Sequence, residues 1–445
     1  MTPQNEAGNH ELLKTPRRHV LGLGGAWAAG AAWTSLFDDA SAVDKPTPIR
    51  IAVIGTGARG SDLIRSLTTI QGAELVALAD DYPPHLERAA QYAGSQATKF
   101  ADYRQMLERA KPQAVVIAVP LYLHHQVAVD CLDAGVDVFC EKTMCFTIDE
   151  ARDLARRVES ARAVFQVGLQ RRANPIYQQA AAMVQAGVLG QITAVKAQWH
   201  RHNNWRRPVP VAKGDAAWSQ LERKLNWRLY RDYSGGLMTE LGSHQLDVVN
   251  WLLGTTPKRV MASGGVDYWR DGREVCDNVF CMYDYEIATP GGSQTSREPY
   301  TVRVTYSSLC NNAYEGAAEL VMGTKGSLYL TSSKGLFYRE KQPDDVGWQA
   351  RKPAEDAGDP NASIVTSGKT LKLSNSPWAH RGEPLEIDNL IGDDTRDELV
   401  SFVDHVRRRD VKTICDVHEG LRDTITVLTA NRAVDERTVL EVPTA

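Results

Sequence analysis

Ile51-Ala52-Val53-Ile54, an unbroken apolar run, leads directly into Gly55-Thr56-Gly57-Ala58-Arg59-Gly60, and a helical pattern follows with Leu63, Ile64 and Leu67 on one side. A strand apolar at every position suits the middle of a parallel sheet, where both faces are covered. A glycine loop between such a strand and a helix is the geometry that binds a dinucleotide. Gly55 makes the tight turn, Gly57 lets the backbone approach a pyrophosphate, and Gly60 allows the helix to pack on the strand. Thr56, Ala58 and Arg59 complete the loop, and backbone N–H groups at the helix N-terminus face the anion. A second apolar strand, Leu75 to Ala79, ends in Asp80, 20 residues beyond Gly60, about the offset of the acid that binds the adenosine ribose. A carboxylate there repels a 2′-phosphate and favours NAD. Arg59 argues for NADP, since a guanidinium beside the ribose holds that phosphate, so NADP stays open.

The alternation of strands and helices continues. Ala114 to Val119 reads as a buried strand, His124 to Ala134 as a helix and Val136 to Cys140 as a further strand. Repeated units of this kind predict an α/β fold with a doubly wound parallel sheet. Ligands bind at the carboxyl ends of such strands, which places Pro120, His124 and Glu141 around the nicotinamide half of the cofactor. At 445 residues the chain has room for more than one domain. Tyr300 to Tyr306 and Ser327 to Leu330 read as strands of a second sheet, Lys341 to Pro384 as a loop insertion, and Thr395 to Arg408 and Val417 to Val434 as helices. With 51 basic and 55 acidic side chains, a net charge of −4, nothing draws the chain to nucleic acid or anionic membrane. Seven cysteines without a CxxC pair fit neither a disulfide framework nor a zinc ribbon.

The series GTGARG, VPLYLHH, CEKTM, GLQRRANP and WRLYRDYSGGLMTELGSHQLD, in that order, resembles the glucose-fructose oxidoreductase, inositol dehydrogenase and rhizopine-catabolism family (Gfo/Idh/MocA). The resemblance covers nearly all of the chain after its first forty residues. It implies a Rossmann domain over 48–170 and a C-terminal α+β domain over 171–445, with substrate bound between them. The second domain of this family has an open, mostly antiparallel sheet that commonly mediates oligomerisation, so a homo-oligomer is expected. The lysine of the family's EKP motif lies near the nicotinamide, and the matching residue is Lys142, with Thr143 where the family has proline. An ammonium there binds a sugar hydroxyl and stabilises alkoxide as hydride leaves. The competing reading is a surface lysine at a strand end. Arg171 and Asn174 match positions that line the cleft between domains, and Trp227-Arg228 match a WR pair ahead of the glycines.

Glu240, His244 and Asp247 are spaced four and three apart, on one face if a helix from Gly242 to Leu253 extends back to Glu240. His244 is the best base in the chain and matches the family's proton relay, and a carboxylate beside it would favour its protonated form. Asp247 orients the ring or binds substrate. Glu240 stands where inositol-dehydrogenase-like members carry aspartate. Two alternatives stay open: a metal site made by Glu240 and His244 with His200 or His202, and a capped helix with a satisfied histidine. Gln198 to Arg207, with Asn226-Trp227-Arg228, interleaves aromatic faces with amide and guanidinium donors, a mixture that suits carbohydrate or a loop of snorkelling arginines.

The first forty residues pose a different problem. Pro16-Arg17-Arg18-His19 precedes the apolar run Val20 to Phe37 and then Ala40-Ser41-Ala42, a segment that resembles a twin-arginine export signal (1–42) cut after Ala42. Left uncut, it would anchor the protein in a membrane. No other stretch is long and apolar enough to span one. An exported dehydrogenase meets no cytoplasmic nucleotide pool, so its cofactor should stay tightly bound. The expected function is therefore a periplasmic sugar or cyclitol oxidoreductase that works through the twin-arginine export machinery, with a carbonyl co-substrate reoxidising the retained cofactor. The rivals are a redox-neutral NAD-dependent glycosidase or lyase, and a non-catalytic sugar-binding module.

Overall fold

A computed structural model describes residues 47–288, 299–340, 383–384 and 393–445. Residues 1–42, which resemble an export signal, and the expected loop insertion apart from residues 383–384, lie outside the described residues. Six strands form the first sheet: β1 Ile49–Ile54, β2 Ala73–Ala79, β3 Thr98–Phe100, β4 Ala114–Ile117, β5 Asp137–Glu141 and β6 Phe165–Gly168. Their order is β3-β2-β1-β4-β5-β6 and every pair is parallel. Chain direction across the sheet reverses between β1 and β4, and a crevice opens there at the carboxyl ends of the strands.

The apolar runs of β1, β4 and β5 are buried on both faces, as their sequences require. Ala52, Ile54, Val115, Ile117 and Val138 join one core cluster with the helices His124–Asp133 and Ile148–Ala161. Ile51, Val53, Ala114, Val116 and Phe139 join another with the helix Ala58–Leu67. The second cluster also takes in Leu399, Phe402, Val403 and Val406 from the helix Asp394–Arg408, with the Phe402 ring edge-on to Phe139 at 5.7 Å. A segment from near the end of the chain thus returns to cover the first sheet, and it delivers Thr395 and Glu398 to the crevice side.

The second sheet has nine strands: β7 Ile192–His202, β8 Arg259–Gly265, β9 Asn278–Ile287, β10 Tyr300–Leu309, β11 Asn311–Gly323, β12 Gly326–Thr331, β13 Lys334–Arg339, β14 Glu383–Pro384 and β15 Leu440–Glu441. Their order is β14-β13-β12-β11-β7-β10-β9-β8-β15, antiparallel except where β7 meets β10. Period-two alternation puts Tyr283, Tyr285, Val302, Val304 and Tyr306 inward. Met261, Phe280 and Met282 emerge on the other face, 45%, 52% and 39% exposed, and Met261 pairs directly with Met282. The inner face receives the helix Ser243–Leu253, which is entered through a wide π-helical turn, Met238–Gly242. All seven cysteines are free thiols, six of them buried. Among the described residues no helix is long and apolar enough to cross a membrane.

Candidate active site

The carboxyl ends of β1, β2 and β4 line a cleft of about 800 Å³. Each glycine of the loop has a distinct steric reason to be there. Gly55 has φ +87°, and a Cβ on it would stand 2.6 Å from the Ala118 carbonyl; a Cβ on Gly60 would stand 1.9 Å from the Gly55 oxygen. At Gly57 the nearest atoms are those of the His85 ring at 3.7 Å, so this residue borders open cleft. The helix that starts at Ala58 has no side-chain cap and no acid in its first turn, which leaves its backbone donors for an anion. The cradle fits the pyrophosphate of a dinucleotide.

Asp80 is fixed at the far end of this cradle. Its carboxylate accepts from the Thr56 N–H at 2.7 Å, the Thr56 hydroxyl at 3.1 Å and the Tyr82 N–H at 2.8 Å. Thr56 is fully buried and serves to position the acid. Arg59 is not beside the ribose site. It turns the other way, donating to Glu141 at 2.6 Å, Thr395 at 2.9 Å and Glu398 at 2.9 Å. The argument for NADP that rested on Arg59 therefore falls. Glu141 is buried and occupied by Arg59, which makes it a brace at the end of β5. Pro120 lines the cleft as expected. His124 does not: it is buried, with ring nitrogens 2.9 Å from the Thr143 carbonyl and 3.0 Å from the Val119 carbonyl. It straps the cofactor loop to the turn that carries Lys142.

Lys142 leaves β5 through a cis peptide bond to Thr143 and points to the π-helical turn. Its ammonium donates to the Glu240 carbonyl at 3.0 Å and the Thr239 carbonyl at 3.4 Å, with the Glu240 carboxylate 3.9 Å away. Thr143 donates to the Thr239 carbonyl and shares a hydrogen bond with Ser243, locking the two segments together. Lys142 is therefore no surface lysine. Burial lowers its pKa, and Glu240 and Glu141 oppose that shift. Glu240 also accepts from Arg228 at 2.8 Å. Burial alone would raise the Glu240 carboxyl, but Arg228 and Lys142 outweigh it and hold the group ionised. Arg228 stacks on Trp227, 4.2 Å from the ring centroid, and both line the cleft.

His244 follows one turn after Glu240. It is 7% exposed, its ring lies 5.3 Å from that of Trp199, and its Nδ1 is buried without a hydrogen-bond partner. Burial, and then the charges of Lys142, Arg171 and Arg59, push its pKa well below the ordinary value. The imidazole is thus held in its neutral form.

Three expected residues are engaged elsewhere, and one alternative does not assemble. Asp247 does not orient His244: Arg172 holds it by Nε at 3.0 Å and Nη2 at 2.7 Å, in a site where Asp247 is 1% exposed. Among the described residues no carboxylate is bonded to His244. Arg171 and Asn174 are engaged by an acid as well. Both bind Asp394, Asn174 at 2.6 Å, and Asn174 also caps the helix Pro175–Gln185. The three-ligand metal set does not assemble, because His200 and His202 alternate onto the strand face opposite Trp199. His200 is bonded to Tyr314 and Ser307, and His202 to Asn311. Glu398 and Thr395 were not foreseen at the site. Their signal was an acid at Glu398 beside Leu399 and Phe402 on the buried side of an amphipathic helix.

The comparisons with known proteins agree with this geometry. The description "Oxidoreductase family, NAD-binding Rossmann fold" (GFO_IDH_MocA) matches residues 49–169, and "GFO/IDH/MocA C-terminal domain" matches residues 177–329. Inositol 2-dehydrogenase 1 of Saccharopolyspora erythraea is 30% identical over 215 residues, 48% of this chain and 56% of that protein. The scyllo-inositol 2-dehydrogenase (NAD(+)) of Bacillus subtilis is 23% identical over 286 residues, 63% of this chain and 73% of that protein. The chain thus spans about half the length of several of the curated relatives it matches. A solved levoglucosan dehydrogenase, in complex with NADH, shares the fold with a TM-score of 0.64 at 16% identity, over 90% of this chain and 100% of that one.

Proposed function

The chain belongs to the Gfo/Idh/MocA family of NAD-binding oxidoreductases, and on that footing we propose that it is an NAD-dependent oxidoreductase of a sugar, sugar derivative or cyclitol. The observation that carries this reading is that Lys142 is bonded to the turn leading into His244, close enough for its charge to act on that imidazole, while Arg228 ties the same turn to the glycine-lined cleft. NAD supplies a hydride acceptor when bound. The Lys142 ammonium binds the reacting hydroxyl and stabilises negative charge on its oxygen. His244 takes the hydroxyl proton as the carbon gives up hydride, leaving a carbonyl. Glu240, itself held by Arg228, keeps Lys142 in place.

We further propose that the protein is exported in folded form by the twin-arginine route and keeps its cofactor through the catalytic cycle. The support is the segment from Arg17 to Ala42. Denaturing protein purified from the exported fraction should release about one nucleotide per chain, and exchanging Arg17 and Arg18 for lysine should hold the protein inside the cell. Exported protein without nucleotide would contradict the reading. Release of aglycone from an aryl glycoside with no carbonyl acceptor present would favour the redox-neutral rival instead.

The exposed Met261, Phe280 and Met282 support a homo-oligomer joined through the open sheet face, since aligned apolar side chains on neighbouring strands are favourable to bury. Phe280→Asp is expected to shift the protein to monomer in sedimentation, and an unchanged assembly would rule that face out.

A further inference from the structure

Arg201 lies on β7 two residues beyond Trp199, so both side chains project from the same strand face, the one on which Trp199 meets His244. The Arg201 guanidinium stacks on the Trp205 ring, 4.1 Å from its centroid. Stacking takes one face of the group and leaves its edges free. Nε and Nη2 are buried, and neither has a hydrogen-bond partner.

Those two nitrogens form the side-on edge that grips a carboxylate through two parallel bonds. Other arginines among the described residues use that edge on an acid. Arg172 holds Asp247 by Nε at 3.0 Å and Nη2 at 2.7 Å, and Arg273 holds Asp271 by Nε at 2.8 Å and Nη2 at 2.7 Å. At Arg201 the same edge meets no acid. The carboxylate whose charge acts on it is Glu240, which is already bonded to Arg228 and faces Lys142. Arg201, Arg228 and Lys142 are thus three cations gathered around Glu240, of which Arg228 lines the cleft and Lys142 also feels Glu141.

Two further polar groups here are buried and unpartnered: the Tyr306 hydroxyl and Nδ1 of His244. Tyr306 packs against the same turn, since a Cβ on Gly242 would lie 3.4 Å from its ring. A neutral sugar offers hydroxyls to these groups but leaves a buried cation without a counter-charge, which is unfavourable.

We propose that the substrate is a sugar acid whose carboxylate is bound side-on by Nε and Nη2 of Arg201 while a hydroxyl is presented to Lys142 and His244. This rests on the oxidoreductase reading and names the substrate class for it. The test is calorimetric binding to NADH-loaded protein of D-glucuronate and D-galacturonate, each against its methyl ester and its parent neutral sugar. At least one acid is expected to bind about 10- to 100-fold more tightly than its ester and parent, the effect of a charge-assisted bidentate pair. Arg201→Gln should abolish that preference with NADH binding unchanged, and Arg201→Lys should restore part of it. Equal binding of acid, ester and parent overturns the proposal, as does failure of both acids to bind at millimolar concentration. The ester comparison needs no variant, so a folding defect in Arg201→Gln leaves the test intact.

Cofactor reduction scored with the same compounds separates the two readings. Selective binding of the acid with no reduction by any compound would remove the oxidoreductase reading. Reduction by neutral sugars with no preference for the carboxylate would remove only the sugar-acid proposal.

Discussion

Exchange of Lys142 for methionine is expected to lower kcat for alcohol oxidation by about 10²- to 10³-fold, the scale of a lost charge opposite an alkoxide. NADH binding should survive, because the cradle for the dinucleotide is built from Gly55 to Gly60 and Asp80, not from Lys142. The ammonium also bridges to the carbonyls of Thr239 and Glu240, so a purely structural role is the competing explanation. The two differ in what they move. A bracing role predicts a lower Tm with kcat within tenfold of wild type, whereas the chemical role predicts a collapse of kcat with little change in Tm.

At His244 the expected loss is about 10²-fold or more on exchange for alanine, together with a change in the pH profile. The imidazole must be neutral to accept the hydroxyl proton. Burial, followed by the charges of Lys142, Arg171 and Arg59, depresses its pKa, so the wild-type acid limb should fall well below the ordinary histidine value of about 6.5. In His244→Ala that limb should vanish. Stability follows the same sign. As pH falls through about 6.5 the unfolded chain takes up the proton and the native state resists, so His244 subtracts stability below that pH and has no effect above it. His244→Ala should therefore lose less Tm than wild type between pH 7 and pH 5. An acid limb that persists unchanged in the variant would assign the titration to another group.

The sequence carried the first sheet and the glycine loop well because each rests on local necessity. Gly55 needs a positive φ, Gly60 has no room for a Cβ against its own turn, and Asp80 ends the next strand. Lys142 was legible through the order of its neighbouring motifs. What local spacing could not show was who claims each charge. Arg59 sits in the loop, yet its partners lie 82 and 339 residues away at Glu141 and Glu398. Asp247 shares a helical spacing with His244, but Arg172, 75 residues earlier, takes it on folding. Glu240 lies in a π-helical turn, so the segment that carries it back from the helix of His244 is not the regular α-helix that the spacing implied. Arg171 and Asn174 are both bound by Asp394, a residue beyond the whole second sheet apart from β15.

The most direct measurement is a crystal structure of the protein loaded with NADH. The nicotinamide ring should open onto the space between the Lys142 ammonium and the His244 imidazole, with the pyrophosphate at Gly57 and the adenosine ribose on Asp80. A dinucleotide seated with its nicotinamide away from both side chains, or with Lys142 and His244 facing separate spaces, would contradict the assignment of either group to hydride transfer.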